Sequence, residues 1–255
     1  VRKLSAALLF LFVAATTTRG EWTAISTHAE PAAVSDLEHR HVVLEDSETG
    51  DRAIVDLAVF SAKSCALRVI DNRDGEKSLA EAMAQQKCVA GVNGGYFDPN
   101  FASIGWRVIE GKTLAPLRRA RLLTGVLISA PRGIQIARIG EISARAKVDA
   151  AIECGPMVVD LGAKVRGLDD TRSAQRTFAA VDRKDHAALG FCSEATLAGL
   201  AKILATQFAA DFKIQRALNL DGGSSSAFWF KRKDGSAFSI SEQKNVRDFV
   251  GITSK

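Results

Sequence analysis

The sequence predicts an α+β fold, a single strand-rich domain in which a mixed, curved sheet packs with two main helices. Composition is the first observation: of 255 residues, 47% are hydrophobic and 25% charged, enough apolar material for one sizeable core. Short β-branched runs recur along the chain between Gly, Pro, Asn and Asp clusters, and only two stretches carry a helical pattern. No Pro/Gly/Ser linker divides the chain, and no repeat with a period of 20–50 residues is present.

The elements follow in order. Arg2 and Lys3 precede an apolar run over 4–15 that closes in small residues. This is the order of a secretory signal peptide, assigned to 1–20. The run is too short for a membrane span. Residues 21–50 are polar with weak periodicity and are expected to form a mobile N-terminal lead-in, so the domain proper is 51–255. Residues 53–62 and 66–71 read as strands. Ser78 and Glu81 make an S-x-x-E capping box that opens a short helix through Gln86. Residues 88–93 return as a buried strand that ends in Gly94-Gly95. Strands at 103–109 and 113–117 flank the turn Glu110-Gly111, and strands at 124–130 and 133–139 flank Pro131-Arg132. Residues 150–160 form a strand interrupted by Gly155-Pro156. Strands at 176–181 and 187–192 pair across 182–186. The second helix is expected over 193–208, where Leu197, Leu200, Ala201, Leu204 and Phe208 share a face. Short strands at 217–220, 227–231, 237–240 and 246–252 close the chain.

Charge and cysteine content narrow the function classes. The formal charge is +5, but the three cations of the first twenty residues, which hold no acid, account for most of it. The remaining +2 does not argue for a nucleic-acid partner. Export would place Cys65, Cys88, Cys154 and Cys192 in an oxidising compartment, periplasmic or extracellular. Proximity in the chain favours Cys65–Cys88 and Cys154–Cys192 pairs, with buried free thiols as the alternative. There is no CxxC, no HExxH, no G-x-S-x-G, no phosphate-binding G-x-x-x-x-G-K-[ST] and no G-x-G-x-x-G opening a helix. Zinc hydrolases, α/β-hydrolases and nucleotide-binding enzymes are therefore disfavoured.

Three glycine-bearing loops follow strands. Asn93-Gly94-Gly95-Tyr96-Phe97-Asp98 offers a flexible backbone and an amide side chain, or else a plain tight turn with its aromatics in the core. Asp221-Gly222-Gly223-Ser224-Ser225-Ser226 places a carboxylate, two glycines and three hydroxyls between apolar strands. Polar groups in that setting need partners, and a phosphate or sugar oxygen is one. Glu153 precedes the Gly155-Pro156 bend by two residues and is either a second carboxylate or an exposed strand residue. Arg176 is a candidate anion clamp, with a surface salt bridge as its ordinary alternative.

Five stretches in order resemble the phosphodiester glycosidase family: Gly91 to Asp98; Gly155-Pro156-Met157-Val158 with Gly162; Arg176-Thr177; the helix around Thr196-Leu197-Ala198-Gly199-Leu200; and Ala217 to Ser225. The likeness spans roughly 55–252. It departs where Ser224 replaces a third glycine and Gln175 a proline. The resemblance implies cleavage of a sugar-1-phosphodiester on its glycosidic side. Asp221 would be nucleophile or base. Arg176 and the amides of Gly222, Gly223, Ser224 and Ser225 would neutralise the departing phosphate. Glu153 or Asp98 would supply a second carboxylate, and Asn93, Gly94, Gly95, Gly155 and Thr177 would line the substrate. No cofactor is required. A non-catalytic carbohydrate-binding protein of the envelope is one alternative, and a phosphodiesterase using a divalent cation on Asp221 and Asp98 is another.

Overall fold

The computed structural model describes residues 21–142, 147–207 and 211–255. The expected signal peptide and Phe208 lie outside them. In chain order the elements are β1 Trp22–Pro31, β2 Leu37–Asp46, β3 Arg52–Ser61, β4 Cys65–Asp71, α1 Leu79–Gln85, β5 Ala90–Asn93, β6 Arg107–Ile109, β7 Lys112–Ala115, β8 Gly125–Ala130, β9 Gly133–Arg138, β10 Ala150–Cys154, β11 Met157–Asp160, β12 Ala163–Lys164, β13 Ala174–Val181, β14 His186–Ala195, α2 Leu197–Ala205, β15 Arg216–Asn219, β16 Phe228–Lys231, β17 Ala237–Ile240 and β18 Asp248–Ser254.

The strands form three sheets, ordered β1-β2-β3-β14-β13-β15-β11-β12, β7-β6-β10-β8-β9 and β17-β16-β5-β18-β4. Every pairing among the described residues is antiparallel, which corrects the expected mixed sheet. Parallel neighbours need long crossovers, and most connections here are tight turns. At Glu110 (φ 49°) and Gly111 (φ 75°) both residues are left-handed, as a two-residue hairpin turn demands.

Both predicted helices form. Ser78 caps α1 in the expected box: its hydroxyl accepts from the Glu81 amide, and the Glu81 carboxylate accepts from the Ser78 amide at 2.8 Å. The second helix is shorter than expected, because residues 193–195 continue β14 and Thr196 takes the N-cap, accepting from the Gly199 amide at 2.9 Å. Leu200, Ala201, Ile203 and Leu204 of α2 are buried against Val158, Val159, Phe178 and Cys192.

The lead-in 21–50 is not a loose segment. It supplies two ten-residue strands to the edge of the largest sheet. His39 is buried at 3% exposure, bridges Asp56 (2.8 Å) and Glu30 (3.0 Å), and packs among Phe228, Phe230 and Phe238. The expected disulfides do not form either: all four cysteines are buried free thiols. Each expected pair straddles two cores. Cys65 and Cys154 belong to one apolar cluster, Cys88 to a second and Cys192 to a third, with sheet backbone between them.

Candidate active site

All three sheets contribute to one point. Asn93 ends β5, Arg176 and Thr177 lie near the start of β13, Asn219 ends β15, and Gly155-Pro156 links β10 to β11. Asn93 is fully buried and joins these segments. Its Nδ2 donates to the Asp221 carbonyl (2.8 Å), while its Oδ1 accepts from Thr177 Oγ1 (2.6 Å) and the Ala227 amide (3.0 Å). The Asp221 amide donates to the Gly94 carbonyl (3.1 Å), and the Leu220 amide to that of Thr177 (2.8 Å). The loop that begins at Asp221 is therefore pinned at its root to two sheets. Asn93 and Thr177 spend their side-chain polar groups on this framework, so they position the site rather than line it.

A second knot lies beside the first. Asn219 Nδ2 donates to the Gly155 carbonyl (3.0 Å) and to Tyr96 Oη (3.2 Å), and the Tyr96 hydroxyl donates to the same Gly155 carbonyl. Burial pushes the Tyr96 phenol far up, so it stays a neutral donor. The chain passes close here: a Cβ on Gly155 would stand 2.1 Å from the Leu122 carbonyl.

Arg176 lies beside the backbone of Gly222, the residue that follows Asp221 in this framework. Asp221 is partly buried, and its Oδ1 accepts from the Gly222 amide at 2.9 Å. Burial raises its carboxyl above the usual range; the Ser225 hydroxyl, the Gly222 amide and Lys244 pull the other way. Arg176 is 9% exposed. Its Nε donates to the Ala195 carbonyl (2.8 Å) and its Nη2 to that of Arg172 (2.6 Å). No carboxylate pairs with it among the described residues, which disposes of the surface salt bridge. Burial lowers its hold on the proton, yet a guanidinium remains charged. Gly222 lies against this side chain: a Cβ there would be 3.8 Å from Arg176 Cδ and 3.0 Å from the Gln175 carbonyl.

Gly223 takes the left-handed position (φ 63°) and opens a single 3-10 turn through Ser225. Ser224 has no positive φ, so the residue in place of a third glycine sits without strain. Ser226 Oγ and Asn219 Oδ1 are buried without a hydrogen-bond partner. Two unsatisfied polar atoms flanking one aspartate in the sequence suit a site made for a polar ligand.

Other predicted residues go elsewhere. Gly94 and Gly95 make room for a buried ion pair, since a Cβ at Gly94 would lie 1.8 Å from Asp248 Oδ1 and one at Gly95 1.9 Å from Arg107 Nη2. Arg107 Nε donates to Asp248 Oδ2 (2.9 Å), and the Gly95 amide donates to Asp248 Oδ1 (2.8 Å). Glu153 is neither exposed nor joined to Asp221. It is fully buried, and its Oε2 accepts from the amides of Trp106 (2.6 Å) and Arg118 (3.0 Å). Strand alternation turns it away from Cys154, the neighbour that feels the Asp221 charge. Asp98 caps its own turn, accepting from the amides of Asn100 and Ala102, both at 2.9 Å.

Sequence reasoning did not single out Asn219, Lys244, Arg107 or Asp248. Asn219 lies within the matched stretch before Asp221 and was legible there. Arg107 and Asp248 meet across 141 residues and carry no local signal.

The sequence model of the phosphodiester glycosidase family matches residues 86–253. No curated protein matches the chain. Among solved structures, a hypothetical protein from Synechocystis superposes with a TM-score of 0.65 at 14% identity, over 91% of this chain; this chain spans 64% of that one. The catalytic domain of zebrafish N-acetylglucosamine-1-phosphodiester alpha-N-acetylglucosaminidase, auto-inhibited by its pro-peptide, gives 0.64 at 17% identity, over 92% of this chain and 88% of that one. The structural likenesses speak to the fold. The family match spans the Asn93, Gly155, Arg176 and Asp221 segments, and on it the chain belongs to the phosphodiester glycosidase family.

Proposed function

We propose that the protein is an exported glycoside hydrolase that cleaves sugar-1-phosphodiester linkages in envelope or extracellular glycans, acting in the periplasm or outside the cell. Family membership supports the reaction class, and the charged-apolar-small order of residues 1–20 supports export. One observation carries the reading to this site: the buried Arg176 guanidinium, with no carboxylate partner among the described residues, stands beside the loop of a partly buried aspartate. An unpaired buried cation is poised for an anion, and a phosphodiester brings one.

In this mechanism Arg176 and the amides of Gly223 and Ser224, which have no protein acceptor among the described residues, face the phosphate. The anomeric C–O bond breaks, the phosphomonoester leaves with the electron pair, and water supplies the new hydroxyl. Asp221 acts at the anomeric carbon as nucleophile or as the base for that water. A phosphomonoester is a competent leaving group, so one carboxylate suffices where ordinary glycosidases need two. Backbone amides occupy one oxygen of Glu153 (Oε2) and one of Asp98 (Oδ1).

The test is a screen of sugar-1-phosphodiesters in ¹⁸O water. Label in the sugar, with Asp221→Asn and Arg176→Gln each losing a hundredfold or more in turnover while still folded, is the expected result. Label in the phosphate together with loss of activity on chelation overturns it in favour of a metal-assisted phosphodiesterase. Sugar binding without turnover on any substrate favours a non-catalytic carbohydrate-binding protein.

A further inference from the structure

Beyond the site, one surface stretch is both greasy and basic. Six large apolar side chains are exposed among the described residues, and three of them are close in sequence: Leu114 (54%), Leu117 (41%) and Leu122 (60%). Arg118, Arg119 and Arg121 lie between the last two, and Lys112 just precedes the stretch. From Gly111 to Gly140 there is no acidic residue. None of these four cations has an ion-pair partner among the described residues.

The backbone of this stretch is anchored. The Arg118 amide donates to Glu153 Oε2 (3.0 Å), the Leu123 amide to the Ala120 carbonyl (3.1 Å) and the Thr124 amide to that of Cys154 (3.1 Å). Cations with no ion-pair partner among the described residues are thus held at the surface. The stretch also borders the candidate active site. The Leu122 carbonyl lies against Gly155, whose own carbonyl accepts from Tyr96 and Asn219.

We propose that this stretch docks the protein on an anionic lipid bilayer, its leucines entering the apolar boundary and its arginines meeting headgroup phosphates. A soluble polyanion would have no use for the leucines. An uncharged apolar partner would have none for a run of cations without a single acid. An anionic membrane interface uses both. The docking does not depend on the reaction proposed above. Only one consequence rests on that reading: a sugar phosphodiester carried on a lipid would be presented beside Asp221.

The experiment is co-sedimentation of the full chain with vesicles of mixed phosphatidylglycerol and phosphatidylcholine, against phosphatidylcholine alone, with immobilised heparin as a soluble polyanion. Binding to the anionic vesicles and to heparin but not to the neutral vesicles, weakened by salt, is expected. The R118Q/R119Q/R121Q variant should lose on the order of a hundredfold, roughly fivefold for each cation removed. The L117S/L122S variant should lose about tenfold or more on vesicles and nothing on heparin. Both should melt at the wild-type temperature, because the altered side chains are exposed. Equal binding to neutral vesicles, or no binding to anionic ones, overturns the proposal. So does a leucine variant that binds vesicles like the wild type, which would mark a polyanion site instead. Turnover is not measured in any arm, so failure of the glycosidase reading leaves the result intact.

Discussion

Asp221 carries opposing demands. Its carboxylate is buried enough to resist ionisation, yet the proposed reaction uses it ionised. The sign of the pH effect follows. The folded carboxyl titrates above its unfolded value of about 3.9, so between the two values the native state holds more protons. Its contribution to stability is full below the unfolded value and is lost as pH rises through the folded one. Asp221→Asn removes this dependence. The variant should melt higher than wild type at pH 7, and the gain should vanish in acid below the ordinary aspartate range. A calorimetric series across pH reads this directly, and an unchanged difference at every pH would exclude burial as the cause. Asn93 is a different case, being fully spent on neighbours. Asn93→Ala strands the Thr177 hydroxyl, the Ala227 amide and the Asp221 carbonyl, and is expected to cost about 3 kcal/mol in a denaturant titration. Of the predicted site residues, Asp221 and Arg176 had the clearest individual chemistry in the sequence. For Glu153 the structure removes the exposed-strand alternative, and nothing around it in the sequence announces that two loop amides will occupy its Oε2.

Elements were legible where one face is buried and the other wet. The capping box of α1 and the turns Glu110-Gly111 and Pro131-Arg132 could be read from a few adjacent residues. Strand β1 could not. It is an edge strand exposed along nearly its whole length, so it shows no apolar alternation. The burial of strand β2 changes phase between His39 and Arg40, and the polar residues His39, Arg40 and Asp46 occupy buried positions and mask the pattern. The small size of the Gly94-Gly95 pair makes room for the Arg107–Asp248 pair packed against it, which nothing local in the sequence announces. Asp248→Ala leaves a fully buried guanidinium without its counter-charge and should destabilise by about 3–5 kcal/mol. Gly95→Ala should be comparably harmful through its collision with Arg107, and normal denaturation midpoints for both would refute the packing role. On α2, Leu200→Ala opens a void facing β11 and should cost about 2–5 kcal/mol by the same measurement.

At the scale of the whole molecule, three antiparallel sheets enclose separate apolar cores, and the four thiols are dispersed among them. Burial pushes Cys88 up to about 11 and Cys154 and Cys192 up to about 12, so none is nucleophilic near neutrality. A reductant should leave the melting temperature unchanged, and a thiol reagent should find four groups only after denaturant is added. Fewer than four would mean that a bridge forms. What the sequence determined alone was the strand-rich class, the positions of most elements and the loops that could carry chemistry, because alternation, caps and turn residues act over a few neighbours. Tertiary structure decided which polar residues meet. Asn93 reaches Asp221 across 128 positions and Arg107 reaches Asp248 across 141, and contacts at that separation depend on how the sheets pack, which no local pattern encodes.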